Sequence, residues 1–271
     1  MTFFEYGSNA GLFLKLATDF GFRDVYGLEQ SNRHFRVSKN YRESLGMDFK
    51  LLHHYIDESF TYDQLPLSDV SLLANFHYHL EVPVLRKLLA ALEEKACTVI
   101  VVSVEGLRER PWKASGDKND VESYFRYWKK MGECKLLSEK DDPHPRKMFS
   151  LKYQSPKIKR VPMKEIKIRN PHHERTISAM NDYIRLCLTG KDFNIRKTQY
   201  YRLEMKRKEG RVPEKDVFER AEKKRNTLHD IIQNGMKSPI IVNNDRYVID
   251  GTHRLFLLQA MGYRSAIVRI L

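Results

Sequence analysis

Cysteine is scarce in this chain and forms no pattern that would dictate its chemistry. The 271 residues hold three, Cys97, Cys134 and Cys187, far apart and without a C-x-x-C pair. No histidine stands at zinc-finger spacing from them. A disulfide framework and a structural zinc module are therefore excluded, and the expected protein is reduced, intracellular and metal-free. Long apolar runs are missing too. No stretch approaches the roughly 20 residues of a membrane span, and no charged-then-apolar leader precedes the first apolar segment, which predicts a cytoplasmic protein without a membrane partner. Acidic charge is short in one part only. Residues 1–150 hold 21 Lys+Arg against 22 Asp+Glu and the remainder 27 against 13, so the net +13 belongs to the C-terminal part. An acidic or phosphorylated partner is to be sought there, the plain alternative being a solubilising basic surface. The length allows two domains, each with its own core.

What the sequence does offer begins at once. Phe3-Phe4-Glu5-Tyr6-Gly7-Ser8-Asn9-Ala10-Gly11 is an apolar start running into glycines, followed by a helical pattern over residues 12–20. Glycines at a strand-to-helix turn let a ligand approach the backbone, and the helix start behind them offers free N–H groups and a positive dipole end. A second short strand, residues 24–29, ends in Glu29, about twenty residues past the first glycine, where a Rossmann-type unit takes ribose hydroxyls. The run is Glu-x-Gly-x-x-x-Gly and lacks the third glycine of a dinucleotide fingerprint. That favours the nucleoside of S-adenosylmethionine (SAM), which has no pyrophosphate to seat, over NAD.

Residues 32–45 read as a polar helix and residues 49–56 as a third strand ending in Asp57. This acid either reaches the adenine edge of a bound nucleoside or simply starts a loop. Residues 70–80 form an almost continuous apolar run, as in a strand buried on both faces of a parallel sheet. Ligands sit beyond the carboxyl ends of such strands, which puts Asn75, His77 and His79 at the reaction site. Either histidine suits a general base; packing and a His-x-His metal pair are the other readings. Residues 82–95 carry Val84, Leu85, Leu88, Leu89 and Leu92 on one helical stripe, and the β-branched run 98–104 predicts a central strand. Residues 105–120 read as a loop over the ligand mouth, 121–132 as a helix, and 133–137 with 147–153 as a closing hairpin around the turn 141–145.

Together, Glu5 to Gly11, Gly27-Leu28-Glu29 and Ala74-Asn75-Phe76-His77-Tyr78-His79 make residues 1–154 resemble the class I SAM-dependent methyltransferases, an α/β Rossmann-like fold whose sheet usually ends in such a helix and hairpin. The resemblance implies that Glu5, Gly7, Ser8, Asn9 and Gly11 shape the methionine-side loop, that Glu29 binds ribose, and that Asp57 and Asn75 join the cofactor site. His77 and His79 are the catalytic candidates. Two departures stand out. The leading helix that usually closes the pocket is absent from the pattern, and the strand-4 motif is not Asp/Asn-Pro-Pro-Tyr, which argues against amino methylation of DNA bases.

The composition changes abruptly at residues 155–160, the candidate linker, and a second domain is expected over 161–271. Pro239-Ile240-Ile241-Val242 and Arg246-Tyr247-Val248-Ile249 read as a hairpin that runs into Asp250-Gly251-Thr252-His253-Arg254 and a helix. These residues have the donors to hold a phosphate chain: free N–H groups, a hydroxyl, an imidazole and a guanidinium. The plain reading is an aspartate cap, a turn glycine and an ion pair. With Val161 to Ile166 and Leu228 to Gly235, this loop makes the domain resemble the α+β ParB/sulfiredoxin superfamily, which implies nucleotide binding (ADP, ATP or CTP with Mg2+) by Asp250, Gly251, Thr252, His253 and Arg254. The His-Arg ending and Pro171-His172-His173-Glu174 resemble its ADP-dependent serine kinases, with Glu174 as base on a hydroxyl acceptor. Thr252 departs from that pattern, and no cysteine near the loop supports sulfinic-acid reduction.

Between these pieces lies a helical insertion, about residues 177–226. Residues 151–226 hold 22 Lys+Arg against 10 Asp+Glu. Lys206, Arg207, Lys208, Lys223, Lys224 and Arg225, with Tyr200 and Tyr201 to stack bases, either track DNA or RNA or form solvated faces paired with neighbouring glutamates. The expectation is a methyltransferase joined to a nucleotide-binding domain with a kinase-like site, acting on a small-molecule or nucleic-acid acceptor. The competing class is a nucleic-acid-associated protein with a degenerate N-terminal sheet. A third reading is small-molecule methylation regulated by nucleotide.

Overall fold

The computed structural model describes residues 1–74, 76, 80–104, 132–140, 146–168, 174–189, 193–208 and 211–271. They fall into two units, Met1–Ile158 and Lys159–Leu271. The first is built on a seven-stranded sheet of order β3-β2-β1-β4-β5-β7-β6, comprising β1 (Thr2–Tyr6), β2 (Asp24–Glu29), β3 (Lys50–His53), β4 (Ser68–Ala74), β5 (Ala96–Val104), β6 (Glu133–Lys140) and β7 (Arg146–Gln154). The first five strands run parallel, and β7 is antiparallel to both β5 and β6. The chain winds outward from β1 in both directions. The order therefore reverses between β1 and β4, the switch point beyond whose carboxyl ends an α/β sheet opens a crevice.

Among the described residues three helices connect these strands: α1 (Leu12–Asp19), α2 (Asn32–Ser44) and α3 (Val82–Lys95). The leucine stripe of α3 does what its spacing predicts: Leu85, Leu88, Leu89 and Leu92 are wholly buried with Phe4, Tyr6, Tyr26, Leu28 and Leu73. Each such side chain contributes about 1.5–3 kcal/mol relative to exposure. Phe3, Leu14, Ala17, Val25, Phe49 and Leu72 make a second cluster that seats α1.

Two strands are shorter than the apolar pattern suggests. β3 stops at His53 because the chain turns at Asp57, which accepts from the Ser59 and Phe60 amides. β4 stops at Ala74, and Phe76 and Leu80 are buried from beyond the strand. The apolar run thus reports packing rather than extension. The loop 105–120, most of the helix 121–132, the turn 141–145 and residues Asn75, His77 and His79 lie outside the described residues.

The stretch expected as a linker is anchored to the first unit. Ser155 Oγ donates to the Glu93 carbonyl at 2.5 Å, Lys157 Nζ lies 3.0 Å from Glu94, and Lys159 and Arg160 already belong to β8. The second unit is α+β, with a sheet of order β10-β9-β11-β8 made of β8 (Lys159–Pro162), β9 (Ile240–Val242), β10 (Val248–Asp250) and β11 (Ser265–Ile270). Only the β9–β11 pairing is parallel. Helix α7 (Thr252–Ala260) packs on it through Leu255 and Leu258. The expected insertion consists of α4 (Glu174–Leu188), α5 (Gln199–Lys208) and α6 (Glu214–Asn234), around a core of Ala179, Tyr183, Ile184, Tyr200, Tyr201, Val217, Ala221 and Leu228. Because α6 continues unbroken to Asn234, the insertion has no edge at residue 226. Among the described residues no helix is long and apolar enough to cross a membrane.

Candidate functional site

The turn after β1 is held from several sides. Gly7 and Ser8 both donate to the Leu28 carbonyl, at 2.8 and 3.0 Å, which fastens the turn to β2. Glu29, the last residue of β2, completes the clamp: Oε2 accepts from the Asn9 amide and Oε1 from the Ser31 amide, each at 2.7 Å. Charge-assisted bonds of this kind are the stronger class. Gly7 has φ +71°, and a Cβ there would lie 2.3 Å from the Phe76 ring. Gly11 has φ +85°, and its Cβ would meet Ser38 Oγ at 2.6 Å. Neither position admits a side chain, so at Gly7 and Gly11 the Phe76 ring and Ser38 approach the backbone itself.

Four polar atoms around this turn are buried without a hydrogen-bond partner among the described residues: Glu5 Oε2, Ser8 Oγ, Gln30 Oε1 and Ser38 Oγ. An unmet buried polar group costs about 1–3 kcal/mol, and native proteins keep few of them. Glu5 is 2% exposed; burial, and after it the Glu29 charge, pushes its carboxyl up to about 9, so it holds a proton at neutral pH. A neutral acid can donate as well as accept. Ser38 and Gln30 were not evident from the sequence. Ser38 sits mid-helix in α2 and meets Gly11 only through the fold, a contact that no local spacing encodes.

Asp57 lies in the turn after β3, its carboxylate engaged by the Ser59 hydroxyl at 2.6 Å and the Ser59 amide at 2.8 Å, bonds that hold it below the usual carboxylate range. That is the geometry of a residue shaping its own loop. Asn75, His77 and His79 are not among the described residues, and neither are Pro171, His172 and His173. Glu174 is the first residue of α4.

In the second unit, Asp250 ends β10, Gly251 at φ +94° forms the N-cap of α7, and Thr252 opens the helix. Asp250 does not cap that helix. Its carboxylate takes Arg254 Nη2 at 2.7 Å, while Arg254 Nη1 donates to the Ser238 carbonyl at 3.1 Å. His253 is driven down to about 4, first by burial and then by the charge of Lys224, with Arg254 acting in the same direction, and so stays neutral at pH 7. Lys224 of α6 is thereby brought into the electrostatics of this loop.

Some members of the basic clusters are engaged within the second unit. Tyr200 and Tyr201, expected to stack bases, are 4% and 5% exposed, and Tyr200 lies against Tyr183 at 5.0 Å between ring centroids. They are core residues, so that expectation is corrected. Lys224 donates to the Tyr200 hydroxyl and sits 4.6 Å from its ring centroid, and Arg225 Nη2 lies 3.4 Å from Glu222. Lys206 and Lys223 are exposed and Lys208 half-buried, while Arg207 belongs to α5 with its side chain outside the described set. A hollow of about 510 Å³ along α6 is lined by Glu219, Glu222, Lys223, Asn226, Thr227 and Asp230, three acids to one base, which is unfavourable for a phosphate backbone. Among the described residues no group of three or more histidine, cysteine or acidic side chains is placed to hold a metal ion.

No family model matches the chain, and no curated protein does. Solved structures do. The N-terminal domain of EvdMO1 with SAH bound aligns at 15% identity over 57% of this chain and 74% of its own, with a TM-score of 0.43. The bifunctional kinase-methyltransferase WbdD aligns at 14% identity over 70% of this chain and 50% of its own, TM-score 0.41. TehB from Haemophilus influenzae aligns at 12% over 57% of each chain, TM-score 0.41. Likenesses this distant carry no functional argument.

Proposed function

We propose that the first unit binds SAM at the glycine turn and transfers its methyl group, and that the second unit binds a nucleoside polyphosphate at the Gly251 loop. The observation that carries the first half is the cluster of unmet polar atoms on Glu5, Ser8, Gln30 and Ser38 around a turn whose two glycines, Gly7 and Gly11, leave no room for a Cβ. SAM fits this set. Its amino and hydroxyl groups are donors for Glu5, Gln30 and the two serines, and its carboxylate suits the free amides at the start of α1. Glu29 keeps lone pairs for ribose hydroxyls beside the two amides it already accepts. When bound, SAM supplies an electrophilic methyl group on a sulfonium; the chain's residues position it and keep water away. Support also comes from the sheet, five parallel strands followed by the antiparallel pair β6–β7, which agrees with the closing hairpin that the sequence resemblance implies.

For the second unit, Gly251, Thr252, His253 and Arg254 hold the phosphates, with Asp250 and Mg2+ beside them. The more specific form of this reading is a kinase in which Glu174 takes the proton of a hydroxyl acceptor. Arg254 is already oriented by Asp250 and Ser238, so it meets an anion without first losing side-chain freedom. Thermal-shift titration of the whole chain tests both halves. SAM or its demethylated product should raise one melting transition, and ADP, ATP or CTP with Mg2+ another. If SAM leaves every transition unmoved, the methyltransferase half is wrong.

A further inference from the structure

We infer that the glycine turn takes its cationic ligand in exchange for the proton held on Glu5. The inference rests on the SAM reading of that site. SAM at neutral pH carries a sulfonium and an ammonium against one carboxylate, a net positive charge, and must be met by negative charge if it is buried.

Two carboxyl groups stand at the turn, and one spot of low dielectric does not hold two uncompensated carboxylates. Glu29 accepts an amide N–H at each oxygen, the pattern of a carboxylate. Glu5, paired in register with Gly27 and Leu72, is sealed from water and has an oxygen with no partner. Among the described residues neither carboxyl forms an ion pair, and His53 of β3, which stands beside Glu29 in the β2–β3 register, lies against the Phe35 ring at 4.7 Å between centroids. On α1, Lys15 and Asp19 pair with each other at the surface. On α2, Lys39 and Arg42 both approach Glu43. Asp69 of β4 takes the Thr2 amide at the far end of β1, and Lys50 of β3 lies over the Tyr26 ring. Glu29 is the charged group that acts on Glu5, in the direction that keeps the proton on. A ligand cation reverses that balance. The Glu5 O–H bond breaks, the proton leaves to solvent, and the new carboxylate faces the ligand's positive charge.

Isothermal titration calorimetry of the intact chain with SAM at pH 6.5, in two buffers of different ionisation enthalpy, tests this. One proton should be released per SAM bound, and the affinity should rise about tenfold from pH 6 to pH 7. Glu5→Gln should bind with no release and no such pH dependence. Binding by the natural chain without proton release, or undiminished release in Glu5→Gln, overturns the inference. Infrared spectroscopy of the ligand-free protein at pH 7 gives a separate check, because Glu5 should contribute a protonated-carboxyl band that disappears on adding SAM. A ligand-free protein without that band overturns the inference even if SAM binds. If the band is present and SAM does not bind, the cofactor reading falls and this inference with it.

Discussion

Glutamine at position 5 keeps the shape of glutamate and removes its titration. In the folded chain the Glu5 carboxyl is raised from 4.5 to about 9. Between those values the folded state holds a proton that the unfolded state has released, so stability falls as pH rises, by about 1.4 kcal/mol per unit. The contribution is complete below pH 4.5 and is gone once pH has passed about 9. From pH 5 to pH 8 the ligand-free protein should lose roughly 2–4 kcal/mol relative to Glu5→Gln, read by urea unfolding of the first unit at a series of pH values. Parallel pH profiles would show that Glu5 is not the group involved. At this scale the sequence was informative about identity and silent about state. Gly7 and Glu29 follow from their spacing along the chain, and Glu5 from the resemblance that its motif carries. The unmet oxygen on Glu5 depends on its burial between β2 and β4, and the approach of Ser38 to Gly11 on where α2 is packed, and nothing local records either.

Elements were legible where one periodicity ruled. Helix α3 spans the residues its leucine stripe marks, because every leucine of the stripe meets the sheet. Strand ends were not, since Phe76 and Leu80 extend the apolar run while packing from beyond β4. The same ambiguity affected α5, where tyrosines beside lysines suggest a surface for bases. Its tyrosines instead face inward and use Lys224 as a lid over one ring. Lys224→Ala should therefore cost about 0.5–2 kcal/mol of second-unit stability in chemical denaturation. If stability were unchanged while affinity for duplex DNA at low salt dropped, the nucleic-acid reading of these helices would be restored.

For the whole molecule, the division of charge in the sequence coincides with a division in structure. Each unit has its own sheet and its own buried clusters. Cooperativity follows shared packing, so calorimetry should resolve two unfolding events rather than one. Leu88→Ala, which opens a cavity under α3, should lower only the event belonging to the first unit, by about 2–5 kcal/mol. A single transition that moves as one would mean that the units unfold as one body. What length and composition conveyed was the number of units. They could not convey that residues 155–158 stay with the first, because that depends on Glu93 and Glu94 meeting Ser155 and Lys157.

The double grip of Glu29 also sets a kinetic relation. The amide hydrogens of Asn9 and Ser31 are held by the two oxygens of one carboxylate, so a single side-chain excursion bares both to solvent. In deuterium their exchange should keep common time although they sit on different loops, and a bound nucleoside that pins the carboxylate should slow the pair together.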